Sequence, residues 1–153
     1  MKRLLLYVHF NKYDHISRHV FYQLEHMRPL FDKLVFISNS RLSESEVQKL
    51  RDKHLIDDFI QRENKGYDFA AWHDGMEFVG FDNLKQYDSV TVMNDTCFGP
   101  LWDMAPIYDK YESNPNVDFW GMTNHQGIKA GDIYIHEHLQ SYFISFIKRL
   151  VES

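Results

Sequence analysis

Three adjacent residues, Asn94, Asp95 and Thr96, offer an amide, a carboxylate and a hydroxyl in one short stretch. Such hard oxygen donors can hold Mg²⁺ or Mn²⁺, and a metal ion there could bridge a diphosphate and stabilise its charge as it leaves. The stretch directly follows the apolar, β-branched run 89–93, which predicts a buried strand. An Asx turn that merely ends this strand explains the same residues, and the sequence leaves both interpretations open.

A second candidate is the segment 63–68, ENKGYD. Asn64, Lys65 and Gly66 could set a carboxamide, an ammonium group and flexible backbone beside phosphates at the start of the next helix. An ordinary loop is equally consistent with these residues. In either case, we predict that Asp68 caps the N-terminus of the helix.

Other chemistries are less well supported by the motifs. The sequence contains neither G-x-G-x-x-G nor G-x-x-x-x-G-K-[ST], which argues against a dinucleotide fingerprint and a P-loop. His136 and His138 flank Glu137 and would share one face of a strand, as in a zinc site, but no third ligand follows at a recognised spacing. Cys97 has no evident His-Asn arrangement that would make it a catalytic thiol.

The elements that must position these residues alternate along the chain. The patterns predict strands at 4–10, 33–38, 56–61, 89–93, 117–122 and 133–135, and helices at 17–27, 43–54, 68–79, 102–111 and 139–151. This alternation predicts an α/β fold, a three-layer α/β/α arrangement with a mainly parallel sheet.

In such folds the ligand lies beyond the carboxyl ends of the strands. The candidate site therefore comprises the residues that follow the first five strands: His9, Asn11, Tyr13, Ser38, Asn39, Ser40, residues 63–67, residues 94–99 and residues 123–126.

Length and charge narrow the class of protein. The chain has 153 residues, 44% of them apolar, which suits one domain, 1–153. Its formal net charge is -5 with no basic stripe, which disfavours a nucleic-acid partner.

No apolar run approaches the roughly 18 residues of a membrane span, so we expect any membrane association to be peripheral or supplied by sequence outside this chain. The single cysteine fits a reducing compartment, and we expect a cytoplasmic location, including the inner face of the cell membrane.

Several segments in order along the chain resemble the rhamnan synthesis protein F family: MKRLLLYVHFNKYDHIS, VFISNS, ENKGYDFAAWHDGM, NDT-x-x-GPL, DFWGMT and HLQSYFISF. The resemblance implies a GT-A-like, nucleotide-diphosphosugar-binding domain that is the N-terminal part of a longer protein. It further implies a rhamnosyltransferase that uses dTDP-rhamnose, with Mg²⁺ or Mn²⁺, to extend a cell-wall rhamnose polysaccharide or a lipid-linked glycan.

Carried over by position, the resemblance assigns roles to single residues. It implies that His9 and Asn11 line the nucleotide pocket, that Ser38 and Asn39 lie near the base or ribose, and that Asn64, Lys65, Gly66 and Asp68 lie against the nucleotide and diphosphate. Asn94, Asp95 and Thr96 occupy the place of the metal-binding DxD of GT-A enzymes. Only one carboxylate of that motif is present, so Asp95 would bind either a metal ion or the donor hydroxyls directly.

Inverting transfer also needs a carboxylate base to deprotonate the acceptor hydroxyl. Glu137 is our first candidate and Asp132 the second. If the base lies beyond residue 153, the chain would bind a donor without transferring its sugar, as a nucleotide-sugar-binding or assembly module. A Mg²⁺-dependent phosphohydrolase that uses Asp95 is a further alternative. It is disfavoured because such enzymes gather several carboxylates, and the first strand ends without an Asp.

Overall fold

The computed structural model describes residues 1–151, which form a six-stranded central sheet in the order β3-β2-β1-β4-β10-β5. The strands are β1 Arg3–His9, β2 Lys33–Ser38, β3 Asp58–Gln61, β4 Ser89–Asn94, β5 Phe119–Gly121, β6 Asn124–His125, β7 Ile128–Ala130, β8 Ile133–Ile135, β9 His138–Leu139 and β10 Phe143–Ile147. Strands β1 to β4 are mutually parallel, whereas β10 is antiparallel to both β4 and β5. The prediction of a mainly parallel sheet is therefore confirmed.

Helices cover both faces of this sheet. They are α1 Arg18–Met27, α2 Glu44–Asp52, α3 Tyr67–Val79, α4 Phe81–Leu84, α5 Ala105–Glu112 and α6 Lys148–Val151, with a 3₁₀ turn at Arg28–Leu30. One core cluster joins α1, α2 and α5 to the sheet and includes Leu24, Leu50 and Tyr108. The opposite cluster joins α3 and α4 to the sheet through Trp72 and Leu84. Among residues 1–151, no helix is long and apolar enough to cross a membrane.

The central strand β1 explains why the sheet needs two helical layers. Its side chains from Leu4 to His9 are all buried, with Leu5 and Tyr7 in one core cluster and Leu4, Leu6 and Val8 in the other. A strand that is apolar on both faces is typical of a parallel sheet covered on both sides.

Two glycines let α3 begin and pack where it does. Gly66 precedes the helix with φ of +74°, a left-handed conformation that glycine adopts without steric cost. A Cβ at Gly75 would lie 2.5 Å from Ile37 Cδ1, so this glycine permits close packing of α3 on the sheet. The N-terminus of α3 is thereby held over the carboxyl ends of the strands.

The predicted helix at 139–151 is wrong for most of its length. Residues Phe143–Ile147 form β10, and only Lys148–Val151 is helical. Phe143 and Ser145 face one side and are buried, while Ile144 and Phe146 pack in the opposite core cluster. The apolar residues are spaced as expected for a helix and also for a strand that is buried on both faces. The strand forms because a segment that lies between β4 and β5 finds backbone hydrogen-bond partners along both of its edges.

Local details also differ from the predictions. The N-terminal cap of α3 is Gly66, not Asp68, because Asp68 lies inside the first turn and turns its carboxylate to Asn94 instead. Ser43 caps α2, since its Oγ accepts from the Glu46 backbone N–H at 3.3 Å. The predicted strand 117–122 shortens to Phe119–Gly121, and the small antiparallel pairs β6–β9 and β7–β8 follow it.

Candidate functional site

Asp95 lies just beyond the end of β4 and is tied to two other parts of the chain. Its carboxylate Oδ2 accepts from the Phe10 backbone N–H at 3.1 Å, and its carbonyl oxygen lies 2.8 Å from His19 Nε2. Burial raises the pKa of Asp95 to about 6, although the Phe10 hydrogen bond opposes this shift. Asp95 is therefore a partly desolvated carboxylate fixed at the sheet edge.

Asn94 connects this turn to α3. Its amide Nδ2 donates to Asp68 Oδ2 at 2.7 Å, and its Oδ1 accepts from the Thr96 backbone N–H at 3.1 Å, which forms an Asx turn. The Asx turn that ends the strand is therefore present, and the Asp95 carboxylate still lies at the edge of the sheet. Burial is the main cause of the raised pKa of Asp95, and the nearby charge of Asp68 adds to it in the same direction. The fold consequently brings together two carboxylates that are far apart in sequence.

His9 and Ser38 lie below the edge, on adjacent strands. His9 Nδ1 is 3.0 Å from Ser38 Oγ, and both side chains are fully buried. Burial lowers the pKa of His9 to about 4, so the ring is neutral near pH 7. Ser38 Oγ also accepts from the Ser40 backbone N–H at 3.1 Å. These residues support the loops that carry the site.

Asn11 is engaged in its own loop. Its Oδ1 accepts from the Tyr13 backbone N–H at 2.8 Å, and its Nδ2 donates to Ser17 Oγ at 3.1 Å. Its backbone N–H donates to Ser40 Oγ at 2.7 Å, which joins the loops after β1 and β2. The Asn11 side chain therefore shapes the β1 loop.

A polar cleft of about 800 Å³ opens beyond the ends of β2 and β3. Its lining comprises Asp14, Asn39, Arg41, Gln61, Arg62, Glu63, Asn64 and Lys65. Arg62 holds this wall together: it donates to Asn39 Oδ1 at 2.7 Å, to Asp74 Oδ2 at 2.7 Å and to the Lys65 carbonyl at 3.0 Å. The cleft is large enough to hold part of a nucleotide.

Residues of the 63–67 loop are exposed at the rim of this cleft. Lys65 Nζ lies 2.5 Å from Glu63 Oε2, and both side chains are largely in solvent. Asn64, Gly66 and Thr96 are also exposed. The side chains of Asn64 and Thr96, and that of Lys65 once it leaves Glu63, can reach a ligand without disturbing the core.

Glu137 lies apart from this constellation. It is exposed between β8 and β9, and its carboxylate accepts from Asn124 Nδ2. Asp132 is exposed as well. In the part of the chain that the structure describes, neither side chain makes a hydrogen bond to the strand ends at 94–96.

The other chemistries gain little from the structure. Among residues 1–151, the one group of three side chains close enough to share a metal ion is His73, Asp74 and Glu77 on α3, so His136 and His138 gain no third ligand. The rings of His138 and His125 stack at 5.0 Å instead. Burial raises the pKa of Cys97, which opposes its use as a thiolate.

Sequence reasoning missed Arg62 and His19. Arg62 immediately follows β3 and lay one residue outside the candidate segment 63–67, so the rule for strand ends could have identified it. His19 lies on α1 and contacts the Asp95 carbonyl across the fold. Nothing in a single sequence indicates that contact.

Comparisons with known proteins agree with this geometry. A family model described as rhamnan synthesis protein F matches residues 34–153. An uncharacterized protein, y4gN of Sinorhizobium fredii, is 30% identical over 133 residues, and the virulence protein VirA of Vibrio anguillarum is 32% identical over 114 residues. The matches cover 86% and 74% of this chain. The chain spans 33% and 32% of the length of these relatives.

A solved structure shares the fold. The mannosyltransferase PcManGT from Pyrobaculum calidifontis, in complex with GDP-Man and Mn²⁺, superposes with a TM-score of 0.62 at 12% identity. The match covers 97% of this chain and 45% of the mannosyltransferase. The fold is therefore of the GT-A type, as the resemblance implies.

Proposed function

The chain belongs to the rhamnan synthesis protein F family, and from this premise we propose that it is the donor-binding domain of a glycosyltransferase. The donor is a nucleotide-diphosphate sugar, dTDP-rhamnose, whose rhamnosyl group is transferred with inversion to a growing cell-wall rhamnose polysaccharide or a lipid-linked glycan. The observation that carries this proposal is the position of Asp95, fixed at the end of β4 between the β1 loop and α3 in a GT-A fold.

The residues at this edge fit a divalent metal ion. Asp95 and Asp68 supply carboxylates, and both are connected through Asn94. Mg²⁺ and Mn²⁺ prefer such oxygen ligands, and Mg²⁺ is commonly held by one or two carboxylates plus substrate phosphates. We therefore propose that Asp95 and Asp68 hold the metal ion, which when bound would supply positive charge to the diphosphate. Asp68 would replace the carboxylate that is missing from the Asn94-Asp95-Thr96 motif.

The rest of the donor would occupy the edge from β4 to β3. In this arrangement the base and ribose lie in the polar cleft beside Asn39, while Asn64, Lys65 and Gly66 approach the diphosphate from the rim. His9, Asn11 and Ser38 act by holding the loops in place, since His9 Nδ1, the Asn11 amide and the Ser38 hydroxyl are already bonded within the chain. A fixed arrangement of this kind lowers the entropic cost of orienting the sugar for attack.

Transfer also needs a base, and we propose Glu137 for this role. In support of this proposal, its side chain is exposed and accessible to a large acceptor. Its separation from the strand ends favours one competing proposal, in which this domain binds the donor and another part of a longer protein provides the base. We propose that the reaction takes place in the cytoplasm, at the inner face of the membrane, and the single cysteine, which fits a reducing compartment, supports this location.

The test is a calorimetric titration with dTDP-rhamnose in the presence of Mn²⁺, followed by product analysis with a polyrhamnose acceptor. Binding with product formation would support transfer by this chain. Binding without product would support the donor-binding module. Absence of binding by dTDP-rhamnose and by other dTDP-sugars would overturn the assignment of the donor site.

A further inference from the structure

An apolar pocket of about 380 Å³ has Met93 and Cys97 in its wall, two residues to either side of Asp95 in the sequence. The same wall includes Phe143 of β10 and Thr123, which follows β5. Since the sheet order is β3-β2-β1-β4-β10-β5, this pocket and the polar cleft at β2 and β3 lie on opposite sides of Asp95. A donor that extends from the cleft to Asp95 would therefore present its sugar towards the apolar pocket.

Three large apolar side chains of the loop after β4 line this pocket and are strongly exposed. Phe98 and Leu101 are each 79% exposed, and Trp102 is 61% exposed. Apolar side chains gathered at a concave surface are typical of ligand-binding sites. The pocket therefore offers an apolar and aromatic surface to a ligand next to the proposed donor site.

Side chains of α1 hold this loop by hydrogen bonds to three of its backbone carbonyls. The pairs are His19 with Asp95, Tyr22 with Pro100, and Gln23 with Cys97. The ring of His19 also lies 4.6 Å from that of Phe98, measured between centroids. Because the loop is already fixed, a ligand that packs against it loses little affinity to ordering it.

A second pocket, of about 390 Å³, shares Trp102 with the first and adds two polar side chains, His26 and Asp103. His26 Nδ1 lies 2.8 Å from the Tyr22 carbonyl and must donate to it, so Nε2 of the neutral ring is an acceptor. The Asp103 carboxylate only accepts, and its Oδ1 takes the Ala105 backbone N–H at 2.9 Å. The wall of this pocket therefore carries acceptors suited to hydroxyl groups.

A saccharide chain matches this pair of pockets better than a hydrocarbon chain or an anion does. A sugar ring has an apolar C–H face that packs on aromatic and aliphatic side chains, and its hydroxyl groups donate hydrogen bonds. A hydrocarbon chain would cover the acceptors of His26 and Asp103 without giving them partners, which is costly. The carboxylates of Asp95 and Asp103 would repel an anion.

We propose that the two pockets bind the end of the acceptor saccharide, with its terminal sugar in the apolar pocket and the next sugar against Trp102 and Asp103. This inference rests on the proposed function and deepens it, because it gives the acceptor a binding site of at least two sugars. Thr123 directly precedes Asn124, whose amide donates to Glu137. The apolar pocket therefore adjoins the exposed segment that carries the proposed base.

Trp102 can report binding directly, because the other two tryptophans, Trp72 and Trp120, are buried. The 153-residue chain should be titrated with methyl α-L-rhamnoside and with a rhamnose disaccharide, by tryptophan fluorescence and by calorimetry. We expect the disaccharide to bind about tenfold tighter, which one added hydrogen bond to a charged group can supply. Its binding should shift the tryptophan emission, and this shift should disappear in Trp102→Phe.

Three variants locate the two sugars. Trp102→Ala removes a surface that both pockets share and should weaken disaccharide binding by about tenfold or more. Asp103→Asn keeps an oxygen for the Ala105 N–H but loses the charged acceptor, so it should weaken the disaccharide severalfold and leave the monosaccharide unchanged. Phe81→Ala, an exposed aromatic on α4, is the control and should change neither affinity. Thermal unfolding checks that each variant is folded.

A separate calorimetric titration with dTDP and Mn²⁺ distinguishes this inference from the proposed function. If dTDP binds but neither saccharide does, the acceptor site is wrong and the donor site remains. If neither dTDP nor a saccharide binds, both proposals fail. Disaccharide binding that is unchanged in Trp102→Ala would place the acceptor elsewhere. If octyl α-L-rhamnoside binds tighter than the disaccharide and Asp103→Asn has no effect, the pockets take a hydrocarbon chain and the saccharide inference is wrong.

Discussion

The ends of the parallel strands differ sharply from the small antiparallel pairs at 124–139. At the strand ends, contacts join residues far apart in sequence: Asp95 with Phe10, Asn94 with Asp68, and Asn39 with Arg62. In the 124–139 segment most side chains are exposed, and hydrogen bonds join residues closer in sequence, 13 apart for Asn124 with Glu137 and two apart for His138 with His136. The contacts of the first region could hold a ligand in a fixed geometry. We therefore propose that the strand ends bind the donor and that acceptor chemistry takes place at the exposed segment.

The strongest test of this division is removal of the Asp95 charge. Asp95→Asn keeps the shape of the side chain but removes the proposed metal ligand, and even outer-shell partners are worth about 10- to 100-fold in metal affinity. We expect Mn²⁺-dependent binding of dTDP-rhamnose, measured by calorimetry, to weaken by more than about 100-fold. Asp82→Asn, on the exposed α4, is the matched control. Normal donor affinity in Asp95→Asn would remove this residue from the site.

The buried residue His9, which lies beneath the strand ends, should make the stability of the fold depend on pH. Burial lowers the pKa of His9 to about 4, whereas the unfolded value is about 6.5. Between these values the unfolded chain binds a proton that the folded chain does not, so acidification destabilises the fold. At about 1.4 kcal/mol per pKa unit, the cost reaches about 3 kcal/mol at pH 4.

The comparison with His9→Asn isolates this residue from every other titrating group. The free energy of unfolding should be measured by urea denaturation at several pH values for both proteins. We expect the wild type to lose stability relative to the variant as pH falls from 6.5 to 4, and the difference to level off below pH 4. Parallel curves would show that His9 titrates normally.

Asp68 should have a smaller effect than Asp95, because one of its oxygens is already engaged by Asn94. We expect Asp68→Asn to weaken Mn²⁺-dependent donor binding by about 10-fold while metal-independent binding changes little. The measurement is the donor dissociation constant with Mn²⁺ and with EDTA. Equal losses in both conditions would mean that Asp68 contacts the nucleotide and holds no metal ion.

Glu137 provides the complementary case in the exposed segment. Glu137→Gln should leave the donor dissociation constant within about twofold, because the side chain is apart from the strand ends. If Glu137 is the base, turnover with a polyrhamnose acceptor should fall by about 10²- to 10⁴-fold. Unchanged turnover would assign the base to another residue.

The sequence was a good guide to the sheet and a partial guide to the site. Continuous apolar runs predict β1, β2 and β4 because both faces of these strands are buried, and the rule for strand ends directs attention to Asn94 and Asp95, which lie at the end of β4. The spacing of apolar residues alone could not distinguish a helix from a strand at β10, because the strand forms through pairing with β4 and β5. The contact between Asp68 and Asn94, and the hold of Arg62 on Asn39, depend on tertiary packing that no local pattern encodes.

We propose that the metal ion and donor lie at the ends of β1 and β4, and paramagnetic broadening by Mn²⁺ can locate the ion directly. In an NMR titration of the chain with Mn²⁺ and dTDP, we predict that the amide signals of Phe10, Asp68 and residues 94–96 broaden first, while those of residues 128–135 persist. Broadening centred instead on His73, Asp74 and Glu77, or on residues 136–138, would contradict the claim.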